Sequence, residues 1–338
     1  MPCGRAIGSH SLDLVYPLLA YGLCFTKPQV ACSQRKTPFA SILGEARPHM
    51  RIALCHLESL VCLPGLNALF DELGDQIGLV VLSRRFGPKH GGLLTQLRRG
   101  IRRSGWRMTL WLGFDIISAQ IVSAVATFAA PFFGRRRSLR SIHSLASRYC
   151  ASVLEVADVN EVKTIKAVSA FAPDLVIVFN FDQILQPAFI EVAKTGVINV
   201  HPSLLPSFKG PCPVFWAMAQ SCSEIGVSIH AITNAEIDAG PIIRQERMTI
   251  GRSNSAAEIT STLFLEGAKL LPGVVQELAA GRCRPLKQLC LADAYHGFPG
   301  AGDVARAVKQ GIRLCHSGFA LRLIGAAIGL GRARIHER

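Results

Sequence analysis

From Met50 onward the chain alternates short apolar runs with stretches of helical period. Arg51–Cys55, Ile77–Ser83, Val153–Val156, Asp174–Phe179, Gly196–Val200 and Gly226–Ile232 predict strands. Leu66–Leu73, Val162–Ala172 and Val214–Ser221 predict helices between them. Short buried runs separated by helices imply an α/β fold, a Rossmann-like doubly wound and mainly parallel sheet. Ligands of such sheets bind beyond the carboxyl ends of the strands. That rule directs attention to Phe179–Leu185 and to Asn199–His201.

The pattern breaks in three places. Residues 1–49 show no clear period; Leu12–Phe25 is apolar but carries Asp13 and Pro17 and lacks a small-residue cleavage site. Met50–Cys55 reads as an opening strand, so 1–49 is expected to be an extension outside the natural protein, 50–255 the catalytic domain and 256–338 a helical, basic C-terminal region. An insertion at about Phe86–Cys150 separates the second and third strands, and Ile116–Gly134 within it has no charge. Such a segment approaches the length of a bilayer span, but Ser118, Gln120, Ser123, Thr127 and Pro131 weaken that reading. A helix or helical hairpin in a membrane interface and a helical insertion packed on the sheet or in a dimer interface stay open beside it. Finally, Ala256–Ala280 predicts a helix that Pro272 and Gly273 kink or split.

Composition sharpens this picture in one respect. The 338 residues are 49% hydrophobic and 18% charged, which argues for a sizeable core and against disorder. The net charge of +14 is concentrated: residues 98–148 hold ten arginines against the single acid Asp115, and 301–338 are also basic. Two segments, rather than the whole surface, are therefore suited to an anionic partner such as phospholipid or tRNA. The eleven cysteines include no C-x-x-C pair, which fits reduced thiols in a cytoplasmic protein better than a metal site or a disulfide framework. No metal is expected.

The chemistry gathers in 197–243. Asn199 and His201 sit two apart at the end of a strand and so project to one face. Asp238 arrives on a later loop before Gly240 and Pro241. An amide, an imidazole and a carboxylate make a set suited to acyl transfer. The stretch N-x-H-P-S-L-L-P-x-F-x-G from Asn199 to Gly210, followed by I-D-A-G-P-I-I from Ile237, resembles the 10-formyltetrahydrofolate-dependent formyltransferases. That family includes methionyl-tRNA, glycinamide ribonucleotide and sugar-nucleotide enzymes and a related formyltetrahydrofolate hydrolase.

The resemblance implies that a primary amine attacks the formyl carbon of 10-formyltetrahydrofolate, a co-substrate. It implies that Asn199 and an imidazolium His201 stabilise the oxyanion while Asp238 assists His201 and proton transfer. It places the folate against Phe181, Asp182, Gln183, Ile184, Leu185, Ile232 and Asn234, and the pocket against Ser203, Pro206, Gly210 and His230. His230 is expected to shape the pocket rather than react. After the first strand this chain reads CHLESLVCLPG, where glycinamide ribonucleotide enzymes carry a phosphate-cradling G-x-G-S-N-like turn. The acceptor is therefore expected to be a tRNA-linked or other small-molecule amine. A catalytically silent membrane- or RNA-binding relative is the alternative from another class. Location is expected to be cytoplasmic, with a peripheral position at the inner membrane face left open; the sequence sets no oligomeric state.

Overall fold

The computed structural model describes residues 49–84, 92–133, 139–249, 251, 253–289 and 294–330. The expectations for residues 1–48 and for the arginines at 135–137 lie outside them. A seven-stranded sheet runs in the order β3-β2-β1-β4-β5-β6-β7. Its strands are β1 (Ile52–His56), β2 (Ile77–Ser83), β3 (Ser152–Val156), β4 (Leu175–Phe179), β5 (Gly196–His201), β6 (Glu224–Ile232) and β7 (Ile242–Thr249). β1 to β5 pair in parallel, whereas β6 and β7 are antiparallel to their neighbours. β7 was not expected. Its run of Arg244–Arg247 is polar because it is a half-exposed edge strand, where no apolar stretch is required.

The central strands β1 and β4 are buried throughout, as a sheet covered on both faces demands. One face packs on α1 (Leu63–Leu73) and α7 (Ala256–Ala279) through Leu66, Phe70, Leu263 and Phe264. The other packs on α4 (Val162–Phe171) and α5 (Pro187–Ile190) through Val168 and Phe189. α7 is one continuous helix with Pro272 inside it, so it is not split in two there. A capping box between Ser255 and Glu258 fixes its start. Beyond that, Gly267, Ala268, Leu271, Val274 and Val275 are buried, so packing outweighs the local loss of one backbone hydrogen bond.

The insertion forms α2 (Gly92–Phe133), broken at Gly105, where φ is +75°. That left-handed backbone suits glycine, which has no Cβ to clash. The arms fold toward each other closely enough that a Cβ on Gly100 would meet the Thr109 side chain at 2.8 Å. α3 (Ile142–Arg148) follows, and α6 (Pro213–Ala219) links β5 to β6. Met108 of α2, Phe215 of α6 and Val304 of α8 (Ala301–Lys309) form a third apolar cluster. α9 (Ser317–Ile328) also packs along α2. Of the readings open for the insertion, its inner face is thus a helical layer packed onto the domain.

Candidate active site

The antiparallel turn of the sheet at β6 builds the polar cluster. In the β5–β6 register Asn199 lies opposite His230, so two residues 31 apart in sequence become cross-strand neighbours. The Asn199 amide donates to His230 Nε2 at 3.1 Å and to Asp238 Oδ1 at 3.2 Å. His201 Nδ1 stands 3.5 Å, and His230 Nε2 3.4 Å, from that same carboxylate oxygen. The other oxygen, Oδ2, accepts the Gly210 N–H at 2.8 Å. The three expected catalytic residues therefore meet at one carboxylate, and His230 joins them rather than forming a separate wall.

This carboxylate is nearly buried, which alone would favour its neutral form. His201, His230 and the Gly210 N–H overcome burial and hold it well below the ordinary carboxylate range. His201 behaves differently. Burial pushes its pKa below 6.5, against the opposing pull of Asp238 and the Phe208 carbonyl. Burial thus works against the expected imidazolium while Asp238 works for it. Its Nε2 lies 3.0 Å from the Phe208 carbonyl oxygen while Nδ1 faces Asp238. Either neutral tautomer leaves one lone pair facing an oxygen, so the ring is poised to take up a proton.

Rigid loops hold this geometry. Ser228 Oγ donates to the Ser203 carbonyl at 2.6 Å and accepts from Leu205 N–H and Gln245 Nε2. That fully used hydroxyl braces the turn containing the cis Leu205–Pro206 bond. Gly210 has φ +98°, and a Cβ there would approach the His296 carbonyl oxygen to 2.5 Å, so the close approach requires glycine. His296 is stacked between Phe208 and Trp216, with centroids 5.5 and 5.1 Å away. The Asp238 backbone sits at φ +49°, and the Gln288 amide ties down the carbonyls of Asp238 and Gly240 at 2.9 and 2.6 Å. Sequence reasoning passed over Gln288, Gln245 and Ser228, which carry no motif of their own.

The residues expected around the folate separate. A recess of about 490 Å³ beside the Asp238 loop is lined by Asn234, Gly240, Lys287 and Gln288 among others, and Asn234 is the one expected folate residue in it. Asn234 also accepts the Glu236 N–H. Phe181 and Ile232 are half-buried against the second core, and Leu185 is 3% exposed within it. Gln183 uses its side chain to bind Val159 N–H and Ser83 Oγ. Asp182 and Ile184 are exposed on the same loop. Ser203 is fully buried, so it braces the turn, and Pro206 is half-buried beside it.

The loop after β1 holds a feature invisible in the sequence. Asp115, the lone acid of the insertion, accepts the Ser59 hydroxyl at 2.7 Å and the Val61 N–H at 3.0 Å. Its backbone carbonyl accepts Leu60 N–H. The chain's own carboxylate thus lies against the first βα turn, just ahead of α1, where this architecture characteristically binds anions. Beside it, burial raises Glu58 to about 7.

The formyl transferase family model matches residues 117–275, the stretch from mid-α2 into α7. Methionyl-tRNA formyltransferase of Geobacillus sp. (strain WCH70) is 34% identical over 169 residues, covering 49% of this chain and 53% of that protein. The same-named protein of Acidithiobacillus ferrooxidans (strain ATCC 53993 / BNL-5-31) is 36% identical over 126 residues, covering 37% and 40%. The chain therefore spans about half the length of the curated relatives it matches. Among solved structures, glycinamide ribonucleotide transformylase 1 from Symbiobacterium toebii overlays loosely, with a TM-score of 0.47 and 16% identity over 75% of this chain and 96% of that one. The Asn199–Gly210 and Ile237–Ile243 motifs both fall inside the stretch, residues 117–275, that the formyl transferase family model matches.

Proposed function

We propose that the protein transfers a formyl group from 10-formyltetrahydrofolate to a primary amine. The observation that carries this reading is the convergence of Asn199, His201 and His230 on the Asp238 carboxylate. The amine nitrogen bonds to the formyl carbon, and the carbonyl oxygen becomes an oxyanion. Asn199 turns the N–H that now reaches Asp238 toward that oxyanion, where a charge-assisted hydrogen bond is stronger. His201 takes the proton released by the amine, directly or through water, and Asp238 steadies the imidazolium so formed. When the tetrahedral carbon collapses, the bond to the folate nitrogen breaks and that nitrogen gains the proton. The recess beside Asn234, Gly240 and Lys287 opens on the same loop and suits part of the folate.

The acceptor amine carries no phosphate at the first βα turn, because Asp115 already fills it. The names of the curated relatives favour a tRNA-linked amine over a purine precursor. No described cysteine is in a disulfide, which supports a cytoplasmic setting. The test is tetrahydrofolate release by the purified chain from 10-formyltetrahydrofolate with a panel of amines, including aminoacyl-tRNA and amino sugars. Release that depends on one class of amine supports transfer. Equal release without amine points to hydrolysis, and failure to bind folate removes the reading.

A further inference from the structure

The second arm of α2 is apolar on both of its faces. Met108, Ile116, Ala119 and Val122 are buried against the domain, and Asp115 on the same side is tied to the loop after β1. On the opposite side Trp106, Leu110, Phe114, Ile121 and Val125 recur at helical spacing and are 42–59% exposed. At 1.5 Å per residue this stripe runs about 28 Å. A helix that is hydrophobic all round is ordinarily covered on every side. Among the described residues this one is covered on one side only.

We infer that this stripe docks onto an anionic lipid surface, with α2 lying in the plane of the membrane interface. Charge selects the partner. Arg98, Arg99, Arg102 and Arg107 are exposed at the start of the stripe, and Arg107 lies over the Trp106 ring. Asp115, the single acid among residues 98–148, faces inward. A second copy laid stripe to stripe in parallel would set these arginines against their own counterparts. Acidic headgroups instead complement them while the acyl boundary receives the apolar side chains.

The structure also decides between lying on and crossing the membrane. α2 is long and apolar enough to cross, but 44% of its apolar window is buried inside the protein. Crossing would strip Met108, Ile116, Ala119 and Val122 from the domain and leave Ser59 and the Val61 N–H without Asp115. An in-plane position keeps every one of those contacts. This inference is independent of the proposed reaction and goes beyond it, since a membrane surface would choose where the acceptor is met.

The experiment is flotation of the full chain with phosphatidylcholine vesicles, with and without about 30% phosphatidylglycerol, at roughly 50 and 500 mM salt. The protein is expected to float with the anionic vesicles at low salt and at least about tenfold less in each other condition. A Leu110→Glu, Phe114→Glu double variant, altered only at exposed positions, is expected to keep its circular dichroism and lose flotation. No flotation on anionic vesicles, or equal flotation on neutral ones, overturns the inference. So does a stable dimer in light scattering that the double variant dissociates, because a second copy would then cover the stripe.

Discussion

Replacing Asp115 with asparagine separates the charge of this residue from its hydrogen bonds. The amide oxygen can still accept the Val61 N–H, and the Ser59 hydroxyl can turn to accept from the amide nitrogen. Asp115 is 7% exposed, and burial, against the hydrogen bonds from Ser59, Val61 and Leu60, raises its pKa from 3.8 to about 6. The folded protein therefore holds this proton more tightly than the unfolded chain does. Stability from this group is greatest below pH 3.8 and is lost as pH rises to about 6. A rise of about two units amounts to about 3 kcal/mol. Roughly half of that, about 1–2 kcal/mol, falls between about pH 5 and pH 8. Urea denaturation of wild type and Asp115→Asn at both pH values isolates the effect, since other titrating groups cancel in the difference. The variant is expected to gain about 1–2 kcal/mol relative to wild type on going from pH 5 to pH 8. A difference independent of pH would show that Asp115 ionises normally and that the account of the βα turn is wrong.

Other substitutions test the site itself. Asn199→Ala is expected to lower kcat by about 10²–10³ with unchanged circular dichroism, the cost of one oxyanion donor; near-native turnover would remove its role. In Asp238→Asn the chief group raising the His201 pKa disappears, so the acid limb of the pH–rate profile, already below 6.5 in wild type, is expected to move lower still. An unmoved limb would mean that another group titrates. Gln288→Ala frees the carbonyls of Asp238 and Gly240 and is expected to slow turnover about tenfold, equivalent to one net hydrogen bond of about 1.4 kcal/mol, with little change in Tm. Gly105→Ala forces a side chain into φ +75° and is expected to cost about 1–2 kcal/mol in urea denaturation.

The parallel core was legible because strands buried on both faces must be continuous apolar runs, as Leu175–Phe179 is. β7 was not, because an edge strand obeys no such demand. The grouping of Asn199, His201 and Asp238 was legible through its motif, whereas the place of His230 against the same carboxylate was not, because only the β5–β6 register sets it opposite Asn199. For His201 the sequence shows the charged partner Asp238 but not the burial that opposes it. Asp115 was visible as the lone acid in an apolar insertion. Its partner is 56 residues away, and no local pattern connects the two. A solitary charge in an apolar run is still a usable signal, because burying it without a partner is costly.

The antiparallel pairing of β5 with β6 has a consequence for how this protein can change. Asn199, His201, Gly210, His230 and Asp238 all lie on one contiguous segment of chain, closed by a local hairpin-like return. β1 and β2, by contrast, lie earlier in the chain and on the other side of β4, and the insertion follows β2. Exchange, lengthening or loss of α2 therefore leaves the order of the reacting groups intact. The polar cluster can be inherited as a block while the half of the sheet beyond β4 is rewritten by insertion, without a single substitution in the cluster.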